Sequence, residues 1–149
     1  MKSNKPKFLD PKEPRPQYAA LPYRITDKVE VLLISSRETR RWVLPKGWPM
    51  KGRKPHAAAA QEALEEAGVV GKIGKEPVGF YHYTKRMKNG SQQLCHVTVF
   101  PMNVARQRKV WPEMDQRTTR WFLLSEAAVL VVEPELQDVL RNFMASMPA

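Results

Sequence analysis

Three glutamates, Glu62, Glu65 and Glu66, close a segment that opens with Lys46-Gly47-Trp48-Pro49. Their i, i+3 and i+4 spacing puts all three carboxylates on one face of a helix, within an arc of about 100°. Ala60, Ala63, Leu64 and Ala67 fall on the opposite face by the same count. The spacing therefore predicts a helix with a packed side and an acidic side. Like charges at this spacing repel by roughly 0.2–0.5 kcal/mol per pair. Glu65 and Glu66 also lie near the expected helix C-terminus, where the macrodipole disfavours negative charge. A hard divalent cation removes both objections, and Mg²⁺ is typically held by one or two carboxylates plus water and substrate phosphates. The preceding loop supplies the complement, since Lys46, Lys51, Arg53 and Lys54 fall within nine residues. Gly47 and Gly52 let its backbone bend and approach a ligand. Acids beside bases in this order point to metal-assisted attack on a phosphate ester or anhydride. The alternative is a solvated Glu-rich face, which is what charge runs usually are.

Gly47, Glu62-Ala63, Glu65-Glu66 and Gly68-Val69 together resemble the box of the Nudix hydrolase family, GX5EX7REUXEEXGU, where U is aliphatic and Ala63 stands at the first U. Two positions depart: Arg53 stands where the family has its first Glu, and Gln61 where it has Arg. In the family those two usually pair and brace the loop against the helix. An exposed ion pair contributes only about 0–1 kcal/mol, so the fold tolerates its loss. Arg53 then either hydrogen-bonds Gln61 or turns towards a phosphate. Three further stretches, 18–24, 41–47 and 120–122, are more loosely similar to the diphosphoinositol polyphosphate phosphohydrolase branch and its bacterial relatives.

The resemblance implies an α/β fold, an α/β/α sandwich with a mixed sheet, over residues 17–145. It implies hydrolysis of a diphosphate linkage with one or more Mg²⁺ or Mn²⁺ ions held by Glu62, Glu65 and Glu66 and by the Gly47 carbonyl. Glu62 and Glu65 are the candidates for taking a proton from water, with Glu113 and Asp115 as acids outside the box. Lys46, Arg53, Lys85 and Arg86 are candidate phosphate ligands, Lys as a point charge and Arg as a bidentate fork. Trp48 either covers a ring of the substrate or packs. His56, His82 and His96 match no zinc spacing. Three functions stay open. The first is a pyrophosphohydrolase of diphosphoinositol polyphosphates or diadenosine polyphosphates. The second is a Nudix hydrolase of a nucleoside triphosphate or ADP-ribose. The third is a non-catalytic nucleotide- or RNA-binding module, favoured by Arg53 and Gln61 and opposed by the intact acids.

The elements that must position these residues are read from periodicity and turn signals. Strands are expected over 17–25, 29–35 and 42–44, the first two joined by the turn at 26–28. Pro55 suits the first turn of the acidic helix and Gly68 its C-terminal cap. A strand over 78–84 is expected to meet a return strand over 94–104 through the loop 85–91, where Asn89-Gly90 is a strong hairpin signal. A last strand over 117–123 precedes a short helix capped by Ser125 and running to about 131. Leu136, Val139, Leu140 and Phe143 give a final amphipathic helix over 135–145.

At 149 residues the chain has the size of one domain with a real core. Its 42% hydrophobic and 27% charged content is ordinary for a soluble protein. No apolar run approaches the ~20 residues that span a membrane, so no membrane partner is expected. The first fifteen residues lack the apolar stretch of a signal peptide. One cysteine, Cys95, makes the cytoplasm the default compartment and reads as a buried, inert thiol. The net charge is +10, and residues 1–16, a basic Pro-rich tail, hold five bases and two acids of it. Such charge speaks to anionic partners: small polyphosphorylated substrates first, nucleic acid second. A homodimer is allowed by the sequence but not indicated by it.

Overall fold

The structure, a computed structural model, describes residues 13–37 and 39–147. Residues 1–12, most of the basic tail, and Glu38 lie outside that range. Eight strands and three helices follow in the order β1 (Arg15–Ile25), β2 (Val29–Ser35), β3 (Trp42–Val43), β4 (Lys46–Gly47), α1 (Pro55–Ala67), β5 (Val69–Ile73), β6 (Gly79–Arg86), β7 (Gln92–Gln107), β8 (Thr119–Leu123), α2 (Leu124–Leu130) and α3 (Pro134–Ser146).

The strands form one mixed sheet. Its spine runs β3-β2-β1-β7-β5, with β4 on β1, β6 on β7 and β8 on β2. β1 and β7 run parallel from Arg15↔Cys95 to Tyr23↔Asn103, and the other pairs are antiparallel. Helices cover both faces, which makes the α/β/α sandwich. The near-continuous apolar run of β2 follows from that burial on two sides. Val31 and Leu33 point to a core shared with Leu136, Leu140 and Phe143 of α3. Leu32 and Ile34 point to a second core shared with Ala59, Ala63 and Ala67 of α1. Alanines on that helix face let α1 lie close against the sheet. Ala60 and Leu64, expected on the packed side, are only half-buried.

The expected elements hold within a few residues, with informative differences. β1 begins at Arg15, two residues ahead of the expected strand. Lys85 and Arg86 belong to β6 rather than to its loop, because their backbone pairs with Gln93 and Gln92. β5 was not expected: Gly71 interrupts its apolar pattern and coincides with a register shift against β7. Ser125 lies inside α2. Leu123 occupies the N-cap instead, and its N–H donates to the Glu126 carboxylate at 3.1 Å. Gly68 caps α1 in the left-handed conformation, φ 71°. A Cβ there would also overlap the Trp111 ring, so both backbone and space select glycine.

Candidate active site

Two residues of β4 bring the loop onto the acidic helix. Pairing with β1 (Ala19↔Lys46, Tyr18↔Gly47) fixes this short strand, and it lies against α1. The Lys46 N–H then donates to Glu66 Oε1 at 3.2 Å. Gly47 faces Glu62 so closely that a Cβ would occupy the place of its carboxylate. The expected acidic face is therefore not a solvated one. Glu66 is 7% exposed, and Glu62 is half-buried beside it. Burial first, and the neighbouring Glu66 second, push the Glu62 carboxyl up to about 8. Burial also raises Glu66, against the opposing pull of Arg117 and Lys46. Without a cation this pair retains a proton at neutral pH, the state that two crowded carboxylates adopt.

Arg117 is a site residue that the sequence did not single out. Its Nη2 stands 3.8 Å from Glu66 Oε2, its Nε donates to Glu113 Oε1 at 3.1 Å, and its Nη1 donates to the Ser35 carbonyl at 3.3 Å. Glu113 is thus committed to Arg117. Its backbone N–H also ties the loop to the Glu65 carbonyl at 3.0 Å. Asp115 is exposed and lies outside the cleft lining.

A cleft of about 390 Å³ opens over these groups. Glu62, Glu66 and Gly47 line it together with Lys46, Lys85, Arg86, Arg37, Arg41 and Arg117. Of the expected phosphate ligands, Lys46, Lys85 and Arg86 are brought together there. Arg53 is not, because its Nη1 donates to Gln61 Oε1 at 3.2 Å beside a second, more apolar recess between α1 and β5. Arg37 and Arg41 are additions. The signal for them was present, since Arg37, Arg40 and Arg41 crowd the turn that leads into the box. Lys46 sits 4.7 Å over the Tyr83 ring, and burial lowers its ammonium to about 8 although Glu66 and Glu133 oppose the shift. Trp48 lines the cleft with the Arg15 guanidinium 4.5 Å over its ring.

Glu65 lies outside the lining, and its Oε2 accepts from Gln61 Nε2 at 2.7 Å. Among the described residues no three His, Cys, Asp or Glu side chains converge as a ready-made cluster for a metal ion. Two of the three histidines come together, away from the cleft lining, and the third stands apart. His82 and His96 meet at 2.9 Å, with Glu135 on His82 at 3.0 Å, while His56 lies at the start of α1. The donor set in the cleft is two oxygen-bearing carboxylates in a space that a glycine keeps open. That set suits a hard cation such as Mg²⁺ or Mn²⁺ completing its shell with water and phosphate. Cys95 is buried and free, and burial raises its thiol.

Fold and cleft together define an α/β/α protein whose charges suit a polyanion held beside a carboxylate pair. The chain belongs to the NUDIX domain family, whose profile matches residues 14–146. It is 33% identical over 128 residues to Nudix hydrolase 13, mitochondrial, of Arabidopsis thaliana, covering 81% of this chain and 62% of the relative. It is 31% identical over 129 residues to diphosphoinositol polyphosphate phosphohydrolase 3-alpha of Mus musculus, covering 85% of this chain and 74% of the relative. The chain spans about three-fifths of the length of the plant relatives it matches. A C. elegans Ap4A hydrolase in a binary complex shares the fold with a TM-score of 0.65 at 22% identity, covering 88% of this chain and 96% of that one. The NUDIX domain of Shewanella oneidensis NrtR complexed with ADP ribose does so with a TM-score of 0.66 at 16% identity, covering 93% and 94%. Among the described residues no helix is long and apolar enough to cross a membrane.

Proposed function

We propose that this chain is a pyrophosphohydrolase that cleaves a diphosphate linkage in a highly phosphorylated small molecule, a diphosphoinositol polyphosphate or a diadenosine polyphosphate. One observation carries the reading: a single cleft sets Glu62 and Glu66 against Lys46, Lys85, Arg86, Arg37, Arg41 and Arg117. Even with Arg117 engaged by Glu66 and Glu113, the five other cations around one opening exceed what a single phosphate requires. The two lining aromatics, Trp48 and Tyr83, each carry a cation over a ring face. The cleft therefore favours charge over base stacking, and a many-phosphate substrate over a smaller nucleotide.

Glu62 and Glu66, with Gly47 and with Glu65 at their side, would hold one or more Mg²⁺ or Mn²⁺ ions. Such an ion supplies polarised phosphoryl oxygens and a water of lowered pKa. The rest falls to the chain. Lys46, Lys85 and Arg86 bind and orient the phosphates, and Arg37 and Arg41 extend that grip across the opening. Glu62 or Glu65 takes the proton of the attacking water. Glu113 is a weaker candidate for that role because Arg117 already engages it. Lys46 remains largely protonated at neutral pH and so keeps its charge for the leaving phosphate. A cytoplasmic setting is part of the proposal, supported by the single cysteine.

The test is a hydrolysis panel with Mg²⁺ and with Mn²⁺ across diphosphoinositol polyphosphates, diadenosine polyphosphates, nucleoside triphosphates and ADP-ribose. The expected result is a kcat/KM at least tenfold higher for the first two classes. A flat, slow profile across all four contradicts the substrate assignment. Salt-sensitive RNA binding without metal-dependent phosphate release would instead support a non-catalytic module.

A further inference from the structure

His82 and His96 are 14 residues apart in the chain, yet the β6–β7 ladder sets them directly opposite each other. The His82 N–H turns away from β7 and donates to Glu135 Oε1 at 2.7 Å, so the two histidines form a pair without ladder hydrogen bonds. Side chains approach most closely at such pairs, where Cα atoms stand about 4.5 Å apart. His82 Nε2 and His96 Nδ1 accordingly lie 2.9 Å apart. Glu135, in the first turn of α3, also meets the other ring nitrogen, His82 Nδ1, at 3.0 Å. An ionised carboxylate only accepts, so it places the His82 proton on Nδ1 and turns the Nε2 lone pair towards His96. Phe80, two residues before His82 on β6, stacks on the His96 ring with centroids 4.8 Å apart. Both imidazoles are half-buried, and none of these four side chains lines the cleft.

We propose that His82 and His96 form a second metal site, outside the cleft, for a borderline dication of the zinc or copper class. Imidazole nitrogens suit such ions, where the carboxylates of the cleft suit harder ones. Two ring nitrogens on one tetrahedral zinc, each at about 2.0–2.1 Å, sit about 3.3 Å from each other. The pair at 2.9 Å therefore needs to part by only about 0.4 Å, a small rotation of two side chains on a fixed ladder. Without the ion the two nitrogens share one hydrogen bond, with His96 Nδ1 donating. On binding, His96 carries its proton on Nε2 instead, and both facing nitrogens offer lone pairs. Glu135 gives His82 the support from behind that ligating histidines commonly have. Two protein ligands make an open site, completed by water on the exposed side, rather than a closed structural one. The ion ties β6 to β7 just before Tyr83 and Lys85 enter the cleft. This site is independent of the reaction proposed above.

The test is Zn²⁺ binding by titration calorimetry in excess Mg²⁺, which occupies oxygen-rich sites, together with the electron spin resonance spectrum of added Cu²⁺. The proteins are wild type, His82→Gln, His96→Gln, the double variant and Glu135→Gln, with circular dichroism recorded for each. Wild type is expected to bind one Zn²⁺, and its Cu²⁺ spectrum to show coupling to two imidazole nitrogens. Each single histidine variant is expected to lose that binding, and Glu135→Gln to weaken it about 10–100-fold. In wild type alone, nuclear magnetic resonance should show Zn²⁺ shifting the ring signals of His82 and His96 and sparing His56, a readout that needs no variant to fold. Wild type that binds no Zn²⁺ in excess Mg²⁺ overturns the inference. So does a double variant that binds Zn²⁺ like wild type, because the ion is then held elsewhere. Ring signals of His82 and His96 that do not respond to Zn²⁺ overturn it as well.

Discussion

Gly47→Ala isolates the space that one hydrogen atom leaves for Glu62, the acid proposed to hold the metal. Gly47 takes a φ outside the left-handed region, so alanine pays no backbone strain there. Fewer unfolded conformations would even stabilise the variant, by about 0.4–1 kcal/mol. The cost is local. The added Cβ overlaps the Glu62 carboxylate, the mobile end of a flexible side chain, so Glu62 swings aside rather than α1 moving. Displacing one carboxylate in a set built on Glu62 and Glu66 should raise the Mg²⁺ concentration for half-maximal activity about 10–100-fold. At 1.36 kcal/mol per tenfold, that equals about 1.4–2.7 kcal/mol. The assay is phosphate release at saturating substrate against Mg²⁺ concentration, paired with urea denaturation. The expected outcome is a shifted Mg²⁺ curve with folding stability within about 1 kcal/mol of wild type. A wild-type Mg²⁺ curve refutes the reasoning. A loss of more than about 2 kcal/mol in folding stability also refutes it, because the overlap would then have been relieved by the helix.

Two other perturbations follow from the charges of the cleft. The Glu62 carboxyl, raised from 4.5 to about 8, binds its proton more tightly folded than unfolded, so its contribution to metal-free stability is fully present below 4.5 and is lost as pH rises to about 8. Lys46, lowered from 10.5 to about 8, acts with the opposite sign but only above that pH. The thermal midpoint in chelator should therefore drop between pH 5.5 and 8, less steeply in Glu62→Gln, and Mg²⁺ should restore it best at pH 8; a flat profile contradicts the raised acid. Arg117→Met removes the cation facing Glu66 and Glu113 while keeping its stem, and breaking a buried pair from one side costs about 3–5 kcal/mol. Because Glu66 can hold a proton, the low end of that range is expected in urea denaturation, with part of the loss recovered in Mg²⁺; a loss below about 1 kcal/mol would show that Arg117 does not hold the acids.

Much of this architecture could be read from residues that carry their own instructions. The run Val31-Leu32-Leu33-Ile34 announced a strand buried on both faces. Pro55 and Gly68 bracketed α1, and Asn89-Gly90 marked the hairpin between β6 and β7. The acidic face was legible from spacing alone for Glu62 and Glu66, whereas Glu65 is engaged by Gln61 and lies outside the cleft lining. What could not be read depends on partners distant in the chain. β4 has two residues and no strand signal of its own, and exists because β1 offers it an edge. The burial of Glu66 is set by the Lys46 N–H and by Arg117, which arrives from the loop before β8. Arg53 looked like a phosphate ligand because it is a base beside a glycine, yet the structure turns it to Gln61. Lys85 and Arg86, expected on a loop, gain fixed positions from the β6–β7 ladder.

Glu66 carries the central claim, since it receives the Lys46 N–H, faces Arg117 and lines the cleft beside Glu62. The most direct measurement compares Mg²⁺-dependent phosphate release by wild type and Glu66→Gln on the best substrate of the panel, with circular dichroism confirming the fold. Glutamine keeps the shape and still accepts from Lys46 but cannot supply the anion. Turnover in Glu66→Gln is expected to fall at least a thousandfold with the fold intact. Wild-type turnover in that folded variant would contradict the assignment of this cleft as the metal-dependent hydrolytic site.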